Sequence, residues 1–154
     1  MTLLRTMAAG SLALLILVGC ADGGARAWIE ASRAQSEAAA AADDVAQARA
    51  ALEALLALEV PSTVAEDDAR VIRQDAHERL GRLWLAQGDG ARALAEVQRG
   101  LVLGEADDIF TANLWVLRGR VREARGEDSE AAADYHRALL IHEHLLSLAL
   151  GDER

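Results

Sequence analysis

"LGRLWLAQGDGARALAEVQRGL", residues 80–101, is followed 38 positions later by "RGRVREARGEDSEAAADYHRAL", residues 118–139, and the two stretches share one pattern. Each is a run of helix-forming residues, then a glycine and an acidic residue, then a second helix-forming run. Two helices joined by a tight turn, occurring twice, predict an all-α chain of repeated helical hairpins. The matching positions are Gly81 with Gly119, Gly88 with Gly126, Ala93 with Ala131, and Leu101 with Leu139.

The same composition extends over most of the chain. Pro61 is the only proline, and no stretch alternates apolar and polar residues in the manner of a strand. Acidic pairs and glycines mark the places where helices stop. They predict a first Ala-rich helix before Asp43, then helices over about 44–59, 64–87, 91–103, 110–124 and 129–150.

The repeated unit resembles the tetratricopeptide repeat, in which two helices approach each other at small residues such as Gly81 and Ala93. The resemblance implies a short α-solenoid of two or three hairpins. We expect repeats at 74–104 and 112–150, and a degenerate copy at 29–62 with Ser36 at the glycine position. The alternative is a plain Ala-rich helical bundle, because small residues at helical spacing pack helices in any fold.

The resemblance also implies that the first helix of each hairpin lines a concave binding face. Glu78, Arg82, Asn113 and Arg120 fall at groove positions of the family, and the two arginines occupy equivalent places. Two arginines could hold an acidic or C-terminal carboxylate group of a protein partner. The family's carboxylate clamp needs a basic residue where Glu78 stands. The alternative is that both arginines are solvated or paired with Glu78 and Glu123.

An uncharged run, Met7–Val18, follows Arg5 near the start of the chain and ends at the only cysteine, in Leu17-Val18-Gly19-Cys20. Its twelve residues are fewer than the about 20 that a spanning helix needs, so the run favours a signal peptide. The alternatives are a retained N-terminal anchor or a buried core helix.

The "LVGC" sequence resembles the lipobox of bacterial lipoproteins. The resemblance implies cleavage between Gly19 and Cys20, and attachment of acyl chains to Cys20. It divides the chain into a signal peptide at 1–19, a lipidated flexible tether at 20–27 and a helical domain at 28–154. Two or more acyl chains anchor a protein stably to a membrane.

These features predict a periplasm-facing position in the bacterial envelope. Ala21 rather than Asp follows the cysteine, and this favours the outer over the inner membrane in lipoproteins of this type. The formal net charge of −9 disfavours a nucleic-acid partner.

The chain shows no pattern typical of an enzyme. Its acidic pairs, such as Asp43-Asp44 and Asp107-Asp108, stand at helix starts, where carboxylates cap helices. His136, His142 and His144 lack the i, i+4 spacing of a zinc site. We therefore predict no catalytic residue, no metal and no cofactor.

The end of the last helix is apolar nearly all round, so its apolar side chains must be buried against another surface. Its leucines either lie under the N-terminal helices or form a homodimer or partner interface: Leu145, Leu146, Leu148 and Leu150. The sequence thus predicts an envelope lipoprotein that binds an unidentified envelope protein through a helical groove. The alternative is a self-associating structural lipoprotein without a specific groove.

Replacement of the cysteine tests the lipobox. We expect Cys20→Ala to remove both the acyl mass and the cut after Gly19, because the thiol is the acceptor of the lipid. The measurement is the intact mass of the protein from its own membranes, with Ala21→Ser as the control that stays acylated. An acylated Cys20→Ala chain would contradict the assignment.

Overall fold

The computed structural model describes the backbone of residues 18–151 and the side chains of residues 23–151. The predicted signal peptide lies outside the described residues up to Leu17, as does the side chain of Cys20. Within the described range the fold is all-α and contains no strand, which confirms that the chain is all-α. The six helices are α1 Val18–Ala40, α2 Val45–Ala57, α3 Glu66–Ala86, α4 Gly90–Val102, α5 Ile109–Ala124 and α6 Asp128–Leu150.

The segment at 20–27 differs from the predicted flexible tether, because it forms the first turns of α1. Alanines there favour a helix over the two glycines. The helix start also lies against the loop between α2 and α3, since a Cβ on Gly24 would be 3.7 Å from the Cβ of Pro61.

Aspartates cap three of the helices, and this confirms the capping role predicted for the acidic pairs. Each accepts a hydrogen bond from the backbone N–H three residues later, which satisfies a donor that the helix leaves free. The bonds run from Gln47 to Asp44 at 2.8 Å, from Arg92 to Asp89 at 2.9 Å, and from Thr111 to Asp108 at 2.8 Å.

The turns of the two hairpins α3–α4 and α5–α6 have the same geometry. Gly88 and Gly126 adopt φ of 80° and 74°, the left-handed region that glycine enters without strain. The residue after each glycine donates its N–H back to a carbonyl in the last helical turn, Asp89 to Trp84 and Glu127 to Arg122, both at 2.9 Å. The sequence repeat therefore corresponds to a structural repeat of the turn.

Each helix packs against the next along the chain, and α3 also packs against α5. Among the glycines of α3 and α4, Gly81 has the least space for a side chain, since a Cβ there would lie 2.7 Å from Cδ2 of Leu117 on α5. In the second hairpin a Cβ on Gly119 would lie 2.5 Å from the ring of Tyr135. The helices can approach this closely only because both positions lack a side chain.

Two carboxylates are buried at equivalent positions of the hairpins, Glu96 on α4 and Asp134 on α6. Asp134 is 2% exposed and accepts hydrogen bonds from Arg118 at 2.8 and 3.0 Å and from Arg122 at 2.8 Å. Glu96 pairs with Arg99 and accepts from His77 Nδ1 at 2.8 Å. Burial lowers the pKa of His77, which favours the neutral ring as the donor.

Ser36, the residue expected at the glycine position of the first helix pair, is half-buried on α1. The buried small residues of α1 are Ser32 and Ala39. The hydroxyl of Ser36 accepts a hydrogen bond from Arg79 of α3 at 2.7 Å. Ser36 thus makes a polar contact with the next hairpin, and Ala39 is the small residue of α1 that packs with Leu52 and Leu55 of α2.

A methyl group added at Gly81, where α3 packs against Leu117 of α5, should destabilise the fold. We expect Gly81→Ala to lower the free energy of unfolding by about 1–3 kcal/mol, because Leu117 is buried and cannot move aside freely. Urea unfolding followed by circular dichroism measures the change. Gly23→Ala is the matched control, since a Cβ at that helical glycine meets nothing within 4 Å. Equal stability of the two variants would contradict the packing argument.

Candidate partner-binding groove

A mainly apolar cavity of about 400 Å³ opens between α1 and α3. It exists because these helices do not pack against each other closely, while α2 packs against both. Phe110, near the start of α5, closes one side. The apolar part of the lining is Ile29, Leu55, Val71, Ile72 and Phe110.

Charged side chains form the rim of the cavity. Arg33 and Glu37 of α1 form an exposed ion pair at 3.0 Å, which water can readily separate. Asp75 of α3 is 43% exposed and has only a long 3.5 Å ion pair with Arg79. The rim can therefore exchange its ion pairs for contacts with a ligand at little cost.

Arg79 connects the two walls. Besides the Ser36 hydroxyl, its guanidinium donates to the Ser36 backbone carbonyl at 3.2 Å. This bridge holds α1 and α3 at a fixed separation, so the cavity is a built feature of the fold and not a gap between loosely placed helices.

The predicted groove residues lie outside this cavity. Arg82 is 62% exposed and pairs with Glu78 at 3.6 Å, as one alternative proposed. Asn113 and Arg120 are exposed. Within residues 23–151 Arg120 forms no ion pair within 4.0 Å, and Glu123 instead accepts the hydroxyl of Tyr135 at 2.7 Å. Arg120 is thus solvated. Arg82 and Arg120 both lie close enough to Glu78 for their charges to act on its carboxyl, so the two arginines flank one acid outside the cavity.

Glu78 is the predicted groove residue with an unusual environment. Its side chain is only 13% exposed, and burial raises the pKa of the carboxyl, an effect that the charges of Arg82 and Arg120 oppose. A comparable effect acts at Tyr135, where burial, together with the hydrogen bond to Glu123, raises the pKa of the hydroxyl to about 12. Burial of the ionised Glu78 carboxyl thus lowers the stability of the fold, although two exposed arginines lie beside it.

The cavity was not predicted from the sequence, although a signal for it existed. Ile29 and Phe110 are large apolar residues on the first helices of hairpins, and Ile29 remains 45% exposed in the fold. An apolar side chain on the face expected to bind a partner indicates a recognition surface more directly than an arginine does.

The leucines at the end of α6 are not covered by the N-terminal helices. Among the helices of residues 18–151, α6 packs closely only against α5. Leu145 is half-buried, whereas Leu146, Leu148 and Leu150 are 58%, 52% and 73% exposed. The alternative in which the N-terminal helices cover this face is wrong, because α5 and not α1 or α2 is the helix against which α6 packs.

Comparisons with known proteins do not place the chain in a family: no family model, curated protein or solved structure matches it. The described residues include no group of three or more potential metal ligands. No helix within that part of the chain has the length and apolarity needed to cross a membrane.

The raised pKa of Glu78 has a consequence for stability. A carboxyl with a higher pKa in the folded state stabilises the fold when protonated, and this contribution is lost as pH rises above its ordinary value of 4.5. We expect Glu78→Gln to raise the urea midpoint at pH 7 and to have no such effect at pH 4. Glu53→Gln is the control for removal of a carboxylate charge, because Glu53 is 59% exposed and its partner Arg49 lies on the same helix. A destabilised Glu78→Gln protein at pH 7 would contradict the argument.

Proposed function

We propose that the chain is a lipid-anchored adaptor of the bacterial envelope, which binds a protein partner through a groove of a short tetratricopeptide-like solenoid. The "LVGC" sequence supports the anchor. The repeated turns, the paired glycines and the packing of α3 against α5 support the solenoid. In this proposal α1–α2, α3–α4 and α5–α6 are three successive hairpins.

The observation that carries the binding function is the apolar cavity between α1 and α3, with Phe110 supplied by α5. All three are first helices of hairpins, so the cavity lies on the face where such a solenoid binds. Its volume of about 400 Å³ fits one or two large apolar side chains of a partner peptide or helix.

The lining favours binding over catalysis. It contains no histidine, cysteine or amide side chain, and its only polar groups are Ser32, Ser36 and the charged rim. No nucleophile lies next to a base there. The described structure therefore gives no support to an enzyme.

A second candidate is a structural lipoprotein that associates with itself. The exposed leucines of α6 favour it, because an apolar surface on a folded chain is commonly an interface. This alternative needs no occupant for the cavity.

Charge placed at the cavity separates the two candidates. We expect Ile29→Glu to reduce recovery of a crosslinked partner at least about tenfold, since a partner side chain would bury the new carboxylate. The measurement is crosslinking of the acylated protein in its own envelope, followed by mass spectrometry. Ile109→Glu is the matched control, because Ile109 is 43% exposed and lies outside the cavity lining.

Equal partner recovery from both variants would remove the cavity from the binding site. Recovery of only the protein itself from the unaltered chain would favour the self-associating structural lipoprotein.

A further inference from the structure

α6 extends beyond the helix on which it packs. Ile141 of α6 lies with Thr111, at the start of α5, in the lining of one small cleft. Arg137, one turn earlier, is 3.9 Å from Glu105 in the loop before α5. The residues after Ile141 therefore project past this loop. We call residues 142–150 the α6 tip; at 1.5 Å per residue it is about 13 Å long.

The α6 tip is apolar over more than half of its circumference, and Glu143, His144 and Ser147 share the remaining side. Leu146 and Leu148 are separated by about 200° around the helix, so they face opposite directions. Both are more than half exposed, and so is Leu150. Glu143 is the only acidic residue in the tip. A helix with a broad apolar face and a narrow polar side can lie at a membrane interface, with its leucines among the acyl chains and its polar side towards the headgroups.

The tip lies at the same end of the helical array as the start of α1. Successive packed helices alternate in direction, so the N-terminal ends of α1, α3 and α5 lie beside the C-terminal ends of α2, α4 and α6. Contacts across this end agree with that arrangement. Gly24 lies against Pro61, Leu103 and Pro61 line one cleft, and Arg70 pairs with Asp108 at 2.7 Å.

Acidic residues at this end do not prevent the tip from reaching lipid. Glu66, Asp67, Glu105 and Asp107 are exposed there and would be repelled by anionic headgroups. The tip extends about 13 Å past the loop that carries Glu105, which exceeds the Debye length of about 8 Å at physiological ionic strength. The acids can therefore stay in water while the leucines enter the leaflet.

We propose that the α6 tip is a second membrane contact, inserted into the leaflet that holds the acyl chains of Cys20. This inference rests on the proposed lipid anchor. The tip is far shorter than a spanning helix, so it enters only the interfacial part of one leaflet. Two contacts at one end hold the domain with the N-terminal ends of α1, α3 and α5 towards the bilayer.

A fluorescent label on each end of the array tests the orientation. The acylated full chain is purified and placed in vesicles of phosphatidylethanolamine and phosphatidylglycerol. Leu148→Cys carries an NBD (nitrobenzoxadiazole) label in the tip, and Gln87→Cys carries it in the exposed turn at the opposite end. We expect vesicles to shift the NBD emission to the blue, and nitroxide lipids to quench it, at position 148 alone.

Three results would overturn the inference. One is the absence of a shift at position 148, and another is an equal shift at both positions. The third is a shift at position 148 that needs no vesicles and grows with protein concentration, since that would show a second copy of the chain covering the tip.

Charged substitutions and an intact mass complete the test. Leu146→Glu with Leu150→Glu should abolish NBD quenching at position 148, while Val45→Glu, at an exposed valine of the opposite end, should retain it. Circular dichroism checks that helicity is unchanged, and retained quenching in the tip variant would overturn the contact. A purified wild-type protein without acyl mass would instead refute the lipid anchor, so the two failures are distinguishable.

Discussion

The fold depends on the absence of a side chain at Gly81. Leu117 of α5 fills the space beside this glycine and is itself buried, so this contact helps to join the hairpin α3–α4 to the helix that follows it. Any added atom would separate α3 from α5 and open the core formed by Val97, Leu114 and Val121. Gly119 provides the same clearance for Tyr135 in the second hairpin. The clearance at Gly81 brings two hairpins together, and the clearance at Gly119 brings together the two helices of one hairpin.

The buried carboxylates Glu96 and Asp134 occupy equivalent positions but find different hydrogen-bond partners. Glu96 is hydrogen-bonded to His77. The residue equivalent to His77 in the second hairpin is Trp115, which is uncharged and cannot form an ion pair. Asp134 therefore turns to Arg118, whose guanidinium lies 3.9 Å above the Trp115 ring. Buried ion pairs add little net stability, since desolvation offsets their attraction. Their directional bonds instead fix the rotation of each second helix against its first.

Local chemistry allowed much of the fold to be predicted. Aspartate caps and left-handed glycines act within a few residues, so helix ends such as those around Gly88 can be read from the sequence. The hydrogen bonds of Asp134 could not be predicted, because an acidic residue without a basic partner indicated by the sequence is expected at the protein surface. The cavity also escaped prediction, since it depends on how far α1 stands from α3. Arg79 of α3 spans that separation by bonds to Ser36 of α1, 43 residues earlier, and no local pattern indicates a contact of this range.

The cavity exists because α1 and α3 stand apart, whereas small side chains allow other helices of the chain to pack closely. Leu52 and Leu55 of α2 pack with Ala76 and Leu80 of α3, so α2 occupies the space behind the two first helices. Arg79 then holds α1 at a distance through polar bonds instead of apolar contact. If the start of α1 and the α6 tip both face lipid, the cavity opens sideways, parallel to the bilayer. A partner would then approach along the membrane surface, which suits a second envelope protein better than a ligand arriving from bulk solution.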